Sequence, residues 1–517
     1  MRKKVLARNR FKAVSVLLIV ALMGTAVMMT ALADPLPPAT GNLYIHKYIG
    51  SPTGGTANGT EQNTSTWTDV IPANGIQFDL YKVNTGSGIP AAGAIYALNN
   101  NSLQVFSTGG ALLGSYPVTS VGSVTTAGNG LASSMNLDQG LYLVIENIAA
   151  STDIRNAITG ERMYISSAIA PFLVAVPMTN PTGDGWIQDV HVYPKNEELT
   201  IVKRVGTDEA VAVGDTVNYT ISVSIPADVS TGQRFEVFDE FDPALALVES
   251  SVQINTIPSQ GGLARGAAGD FEVDYQEATS TMTVSLTSKG RSLLSGYTTM
   301  VVSFDITVTA EILTYTDYTA SNTATVEYVN TNQIYYEAHN FDDPTIHSAA
   351  INITKLNESG AALNGSSFKI ATSDANARAN RFLRIDSDSV LYDYDPDNPT
   401  ASTWYTLGSS ADYTVSPANT GKFTGLKDKV NGVYQTYYIV ETKAPSGYNL
   451  LSDPVVVTFN GNETNYTYML SVTNHQGFVL PVTGGTGVII CTVVGFVLLG
   501  IALSIAIPRR RNRQLTK

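Results

Sequence analysis

Short stretches in which apolar and polar residues alternate recur along the chain, each bounded by Gly, Pro, Asn or Asp. Alternation with a period of two is typical of strands that bury one face, and closely spaced strands of this kind are typical of all-β sandwiches. Long helical periodicity is absent outside two apolar segments near the termini, Ala13–Met29 and Val488–Ile507. The pattern therefore predicts an all-β protein built from tandem Ig-like β-sandwich domains.

Three units follow one another, each with a recognisable opening and closing strand. The predicted opening strands are Leu43–Ile49, Leu199–Val205 and Ile351–Lys355, and the closing segments are Trp186–Asn196, Asn322–Tyr328 and Tyr466–Asn474. A polar stretch over 339–348 separates the last two units. We predict domains at 34–196, 197–338 and 349–474, in keeping with roughly 150 residues per domain.

A lysine falls on the apolar face of every opening strand. Lys47, Lys203 and Lys355 are each an even number of residues from apolar residues of their strand, and such positions share one face. We call this shared even spacing parity. Asn322 and Asn474 lie in the same way on the apolar faces of their closing strands. The lysine and the asparagine are 119 residues apart in both the second and the third unit. The repeat predicts that each unit buries a lysine beside an asparagine.

This pairing has a defined chemistry. Burial lowers the pKa of a lysine toward the neutral amine, which is a nucleophile, and a nearby acid can polarise an asparagine carboxamide. Alternation places Asp239 and Glu441 on buried faces, so each can serve as that acid. The expected product is a Lys–Asn isopeptide bond, formed once with loss of ammonia. A lysine that snorkels from a strand edge to water is the alternative, and two matched triads favour the bond.

The first unit carries a third, less defined set. Asn196 shares parity with the apolar residues before it and could pair with Lys47. Glu146 is the candidate acid, although both faces of its strand are apolar and its direction is ambiguous. The same parity predicts that Lys195 points outward.

Both termini read as processing signals. A basic n-region, the apolar segment Ala13–Met29 and the cleavage pattern Ala31-Leu32-Ala33 predict a signal peptide over 1–33. Near the other end, Leu480-Pro481-Val482-Thr483-Gly484 precedes the apolar segment Val488–Ile507 and a basic tail. Taken alone, that helix is long enough to span a membrane with the arginines on the cytoplasmic side.

Net charge and cysteine content limit the partners and the covalent cross-links that the protein can have. The formal net charge is −13, and eleven basic residues leave with the signal and the tail, so the remaining body carries −24. This acidic balance argues against nucleic acid as a partner. The one cysteine, Cys491, lies in the C-terminal apolar segment. Exported domains without a disulfide are expected to be stabilised by another kind of covalent cross-link.

The C-terminal segment, 480–517, resembles the cell-wall sorting signal of Gram-positive surface proteins. That resemblance implies cleavage by a sortase, a cysteine transpeptidase, between Thr483 and Gly484, with transfer of the Thr483 acyl group to an amine. Tyr438–Tyr448 looks like the E-box of sortase-assembled pilins and Cna-B domains, and Phe238–Leu245 is similar to the Asp-containing segment of their middle domains, with Asp242 as a departure.

Val192-Tyr193-Pro194-Lys195-Asn196 resembles the pilin motif, whose lysine receives the threonine of the next subunit. The chain as a whole looks like a major (backbone) pilin. The resemblance implies a non-enzymatic shaft subunit of a cell-surface pilus, joined through Thr483 and Lys195. The implied partners are identical subunits, a pilus sortase, peptidoglycan, accessory pilins and a host surface. Many such pilins have a disulfide in the last domain, which this chain lacks.

Three other interpretations stay open on sequence. A monomeric wall-anchored adhesin of the same domains differs only in lacking a working Lys195. A wall-bound hydrolase finds no recognised constellation, because the five histidines form no HExxH motif and no G-x-S-x-G occurs; a carboxylate-pair glycosidase is still open. Asp393, Asp395 and Asp397 offer oxygen ligands for Ca²⁺, but the missing EF-hand glycine and glutamate favour a solvated acidic loop and no cofactor.

Overall fold

The computed structural model describes residues 36–506 except 51–57, 87, 207–208, 260, 396, 398–402, 408–420 and 478–485. The predicted signal peptide, the sorting motif 480–484 with Thr483, and the basic tail lie outside the described residues. The chain forms two compact units. The first comprises Met1–Thr207, Thr216–Thr307 and Ala320–Thr345, and the second Asp208–Asp215, Val308–Thr319 and Ile346–Lys517. The predicted three-domain division stays a prediction.

The N-terminal part of the first unit is almost entirely β-structure. Its strands are β1 (Thr40–His46), β2 (Tyr48–Gly50), β3 (Val70–Asn74), β4 (Gln77–Val83), β5 (Ile95–Asn99), β6 (Ser102–Phe106), β7 (Leu112–Thr125), β8 (Leu131–Asp138), β9 (Gly140–Asn147), β10 (Arg155–Asn156), β11 (Phe172–Val176), β12 (Met178–Thr179), β13 (Trp186–Ile187), β14 (Asp189–Val192) and β15 (Lys195–Asn196). Two 3₁₀ turns cover Thr64–Thr66 and Ile148–Ala150.

Opening and closing strands lie side by side in this part. Its sheets run β14-β1-β8, β10-β3-β2-β15, β11-β9-β4-β7-β6-β5 and β12-β13. The predicted opening strand is interrupted at Lys47, so that β1 pairs with β14 and β2 pairs with β15, both in parallel. The chain therefore brings the residue after β1 next to the end of β15.

The rest of the first unit is a sandwich of two antiparallel sheets, β16-β17-β22-β19 and β20-β21-β18-β23-β24. The elements in this stretch of chain are β16 (Ile201–Val205), β17 (Thr216–Ser224), β18 (Arg234–Phe241), β19 (Leu245–Ile257), β20 (Phe271–Gln276), a 3₁₀ turn (Glu277–Thr279), β21 (Thr281–Leu286), α1 (Ser288–Leu293), β22 (Thr299–Val308), a 3₁₀ turn (Ala310–Thr314), β23 (Thr319–Val329), β24 (Tyr335–His339) and β25 (Thr345–His347). The stretch 339–348, predicted as a polar link, thus contains a short strand, and its Ile346 is fully buried.

The second unit contains a further sandwich. Its elements are β26 (Ala349–Asn357), β27 (Ser367–Ala371), α2 (Asp374–Arg378), β28 (Arg384–Ile385), β29 (Leu391–Tyr392), β30 (Thr403–Trp404), β31 (Thr406–Leu407), β32 (Lys422–Leu426), β33 (Lys429–Val430), β34 (Val433–Tyr434), β35 (Thr436–Lys443), β36 (Val455–Thr458) and β37 (Thr467–Asn474). Strands β32-β26-β37 form one sheet and β31-β27-β35-β36 the other. The opening strand β26 again pairs in parallel with the closing strand β37.

Alternating apolar residues fill both sandwiches, as the sequence pattern predicts. In the second unit Ile351, Phe368, Phe423 and Ile439 are fully buried in one core. Burying one face of each strand in this way is what stabilises stacked antiparallel sheets. The prediction of an all-β fold is confirmed.

A helix, α3 (Thr486–Ala506), overlaps the apolar segment predicted to cross the membrane. Within the part of the chain that the structure describes, no helix meets the combined length and hydropathy requirement for a membrane span.

Candidate functional site: buried lysine, asparagine and carboxyl groups

The first cluster joins Lys47, Asn196 and Glu146, all of them buried. The Lys47 ammonium lies 2.5 Å from Asn196 Oδ1 and 3.2 Å from Glu146 Oε2. Asn196 Nδ2 donates to Glu146 Oε1 at 2.6 Å. The amide N–H of Ile169 also donates to Glu146, at 2.8 Å. Glu146, whose direction the sequence left ambiguous, thus contacts both the amine and the carboxamide.

Strand pairing explains how the first cluster forms. Asn196 ends β15, beside β2, and Lys47 immediately precedes β2. Glu146 lies in β9 opposite Phe78 of β4, whose ring centroid is 5.7 Å from the Lys47 nitrogen. Burial in these apolar surroundings lowers the pKa of Lys47 to about 8, against the opposing effect of Glu146. An appreciable fraction of this amine is therefore neutral near physiological pH.

The second cluster joins Lys203 of β16 with Asp239 of β18 and Asn322 of β23. Lys203 Nζ lies 2.5 Å from Asp239 Oδ2 and donates to the carbonyl of Thr323 at 3.0 Å. Asn322 is fully buried and lies close enough to Asp239 to oppose the rise in the pKa of that carboxyl group, but no hydrogen bond of regular geometry from the described residues reaches its Oδ1, its Nδ2 or Asp239 Oδ1. A buried carboxamide left unsatisfied is costly in a finished fold. Its position is better explained as that of a reactant.

Burial in the second cluster shifts the pKa of both partners in the direction that makes their neutral forms easier to reach. Burial lowers the pKa of Lys203 to about 8 and raises the pKa of Asp239 to about 6. Aromatic rings of the core, including that of Tyr219 at 5.6 Å from the Lys203 nitrogen, exclude water from the amine. Proton transfer from Lys203 to Asp239 would leave a neutral amine beside a carboxylic acid, which is the pair that amide exchange requires.

The third cluster joins Lys355 of β26, Asn474 of β37 and Glu441 of β35, again all buried. Lys355 donates to Asn474 Oδ1, and Asn474 Nδ2 lies 2.9 Å from both oxygens of Glu441. The Lys355 nitrogen is 3.7 Å from Glu441 Oε1. Burial lowers the pKa of Lys355, and Glu441 opposes this shift. The same three chemical groups thus recur in a third place.

Loop residues that the strand pattern does not single out complete the third cluster. The carbonyl of Asn449 accepts from Asn474 Nδ2 at 3.0 Å, and the amide N–H of Leu451 donates to Glu441 at 3.1 Å. These contacts are made by backbone atoms of an irregular segment. No periodic sequence signal could have identified them, because a backbone contact does not depend on residue type.

Each cluster contains the three groups that a Lys–Asn isopeptide bond would require. Attack of a neutral lysine Nζ on the asparagine Cγ forms a C–N bond, the Cγ–Nδ2 bond breaks, and the amine proton leaves with Nδ2 as ammonia. A carboxyl group hydrogen-bonded to the carboxamide can stabilise the charge that develops on it. The product is neutral, so the reaction also removes a buried ammonium, which is expensive to keep away from water.

Lys195 lies outside the first cluster although its neighbour Asn196 belongs to it. The prediction that it points fully outward is only partly correct, because its side chain is partly buried. Its nitrogen lies 4.2 Å from the ring centroid of Trp67. Burial lowers the pKa of Lys195. Sequence reasoning missed Trp67, which belongs to a loop whose position follows from tertiary packing.

Comparison with known protein families agrees with this architecture. The family model described as the N-terminal domain, D1, of Gram-positive pilin subunits matches residues 38–197. A second family model, described as a prealbumin-like fold domain, matches residues 349–476. The chain is therefore similar to Gram-positive pilin subunits over its N-terminal region.

Relatives of this chain match it over nearly its whole length. Fimbrial subunit type 1 of Actinomyces viscosus is 26% identical over 514 residues, which cover 92% of this chain and 91% of the relative. Fimbrial subunit type 2 of Actinomyces naeslundii is 26% identical over 550 residues, covering 98% and 97%. The full-length major pilin SpaD from Corynebacterium diphtheriae has a similar fold, with a TM-score of 0.51 and 22% identity over 85% of this chain and 98% of SpaD.

The acidic loop around Asp393 does not form a metal site from the residues that the structure describes. Asp393 accepts hydrogen bonds from Thr372 Oγ1 and from the amide of Tyr394, and Asp395 accepts one from the amide of Asp397. Among the described residues, no group of three or more His, Cys, Asp or Glu side chains is placed to hold a metal ion. The Ca²⁺ interpretation gains no support there.

Proposed function

We propose that this chain is the shaft subunit of a cell-wall-anchored pilus. Sortase joins Thr483 of one copy to Lys195 of the next, and Lys–Asn isopeptide bonds stabilise each copy. The observation that carries the proposal is the threefold recurrence of a buried lysine, asparagine and carboxyl group. In each case the lysine follows or lies in an opening strand and the asparagine lies in a closing strand. A bond there ties together the two ends of each domain.

Under this proposal the pilin is a substrate and not an enzyme with turnover. Asp239, Glu441 and Glu146 promote one reaction each, after which the lysine and the asparagine are consumed. The acceptor Lys195 is not consumed in such a bond, because its side chain lies outside the first cluster. Export, wall attachment through peptidoglycan and contact with accessory pilins follow from the sorting signal, with membrane residence before sorting.

The polymer proposal predicts a ladder that depends on one lysine. Co-expression of the chain with a pilus sortase is expected to give covalent oligomers on a denaturing gel, and Lys195→Ala is expected to abolish them because no acceptor amine remains. Lys82→Ala is the matched control, since this partly exposed lysine of the same domain contacts Asp138 and none of the three clusters.

A ladder that persists in Lys195→Ala at wild-type intensity would contradict polymerisation through this lysine. Monomers alone in the wild type, together with attachment of single copies to peptidoglycan, would instead support the monomeric adhesin.

A further inference from the structure

One aromatic ring lies against the proposed acceptor amine, and two further aromatic side chains pack against that ring. The ring of Trp67 lies beneath the Lys195 nitrogen, at 4.2 Å from ring centroid to nitrogen. Trp67 also contacts Tyr48 at a centroid distance of 5.3 Å and Tyr193 at 5.4 Å in an edge-on geometry. We call Trp67, Tyr48 and Tyr193 the aromatic platform. A cation above an indole face is the most favourable of the cation–π arrangements.

The loop that carries Trp67 is held in place by specific hydrogen bonds. Asn63 caps the 3₁₀ turn Thr64–Thr66 by accepting from the amide of Ser65, and the amide of Trp67 donates to the carbonyl of Thr64 at 3.1 Å. The amide of Gln62 donates to the Tyr193 hydroxyl at 2.6 Å. The platform is therefore anchored to the same strand segment that carries Lys195.

The other face of the platform is also packed. His46 stacks on Tyr193 at 4.6 Å and its ring lies within hydrogen-bond distance, 2.9 Å, of His191. Burial and the neighbouring His191 lower the pKa of His46, while Glu61 opposes them. Tyr193 thus stacks on His46 and also meets Trp67 edge-on, so its ring is packed by two neighbours.

The backbone beneath the amine is fixed as well. Lys195 pairs with Tyr48, and Asn196 with Ile49, in the two-residue strand β15. So short a strand would hold its position weakly on its own. Asn196, the next residue, is in contact with Lys47 in the first cluster. A bond between these two side chains would lock the main chain directly beside the acceptor.

We propose that Trp67 is a positioning residue for pilus polymerisation, holding the Lys195 side chain extended above its ring so that the amine meets the sortase acyl-enzyme in one orientation. The inference rests on the proposed function. In that step Lys195 Nζ forms an amide bond with the Thr483 carbonyl carbon, the thioester bond breaks, and the amine proton leaves with the sortase thiol.

Two physical effects give Trp67 this role. A free lysine side chain samples many rotamers, and restricting them before the encounter removes an entropic cost from the transition state. The indole also covers one side of the amine. The desolvation that accompanies this burial lowers the pKa of Lys195, against the cation–π attraction, which favours the ammonium.

The test uses the mature chain, a pilus sortase and a synthetic peptide containing Leu-Pro-Val-Thr-Gly, with attachment at Lys195 quantified by peptide mass spectrometry. Trp67→Ala is expected to lower kcat roughly tenfold, the scale of the restored side-chain freedom, with a smaller change in KM for the pilin. Trp67→Phe, which retains a ring, is expected to recover most of the rate. Thr66→Ala, an exposed neighbour in the same turn, is expected to match the wild type.

A readout without sortase separates this inference from the function on which it rests. The ring current of Trp67 should shift the Lys195 side-chain protons upfield in a ¹H–¹³C spectrum. Trp67→Ala should remove that shift, while the number of ammonia molecules missing from the intact mass stays the same as in the wild type. Equal rates for wild type and Trp67→Ala, or no upfield shift in the wild type, would overturn the positioning role. An intact shift with no peptide transfer to wild-type Lys195 would instead refute the proposed polymerisation.

Discussion

Asn322→Ala is expected to lower the midpoint of thermal unfolding of the middle domain by on the order of 15–20 °C. The substitution removes the carboxamide that Lys203 attacks, so the bond across 119 residues cannot form. Closing a loop of ~120 residues is worth about 4–5 kcal/mol on the chain-entropy model used for disulfides. One kcal/mol shifts the midpoint of a domain of this size by a few degrees. Calorimetry of the wild type and the variant measures the difference.

Variants of Asp239, the acid proposed to promote the bond between Lys203 and Asn322, test the same bond independently. Asp239→Ala is expected to destabilise the domain more than Asn322→Ala, because it blocks the bond and also leaves the buried Lys203 without its carboxylate partner. Glu240→Ala is the control, since Glu240 is the exposed next residue of the same strand. Equal midpoints for the wild type and Asn322→Ala, with wild-type mass lacking no ammonia, would contradict a bond in this domain.

Pulling on a single copy between the Lys195 side chain and residue 477 is expected to leave the chain from Lys203 to Asn322 and from Lys355 to Asn474 unextended. Load entering at Lys195 passes through Lys203, crosses to Asn322, and later crosses from Lys355 to Asn474. The chain folded between those bonded residues is thereby bypassed. Residues 36–194 precede the point of attachment, so the first domain carries no load in this geometry.

Preventing one of these bonds is expected to release a defined length of chain under load. Asn322→Ala is expected to release the 119 residues between Lys203 and position 322, which extend by about 400 Å at the ~3.4 Å per residue of a stretched chain. Asn332→Ala, at an exposed turn, is the control and should behave as the wild type. Force spectroscopy measures the step, and a step of this length in the wild type would refute the bypass.

In this loading geometry the first cluster has a different mechanical role from the other two. A bond between Lys47 and Asn196 lies at the edge of the loaded chain, immediately after the acceptor. Its effect is to fix the strand that carries Lys195 while force is applied to that side chain. The same type of bond thus limits extension in two domains and holds the joint in place in the other.

Strand alternation was sufficient to predict much of this arrangement. Lys203 and Asn322 share the parity of their apolar neighbours, and a period of two leaves each side chain one face to occupy. Parity could not decide on which face of its strand the Glu146 side chain lies, because both faces are apolar. Only the pairing of β9 with β4 fixes its direction.

The surroundings of Lys195 show where sequence reasoning stops. Its parity predicts an outward side chain, and outward is where Trp67 covers it. Trp67 is far away in sequence and lies in a loop rich in Thr and Asn, where no periodicity constrains its partners. Contacts of this kind depend on how loops fold back onto strands, which is decided by tertiary packing and not by local pattern.

The central claim is that three buried lysines have each displaced ammonia from an asparagine. The intact mass of the mature chain, compared with the mass calculated from its sequence, tests it most directly. The account predicts a deficit of three ammonia molecules, falling to two in Glu146→Ala, Asn322→Ala or Glu441→Ala. A deficit of two in the wild type would show that one cluster does not react, and a mass equal to that of the unmodified chain would contradict the account as a whole.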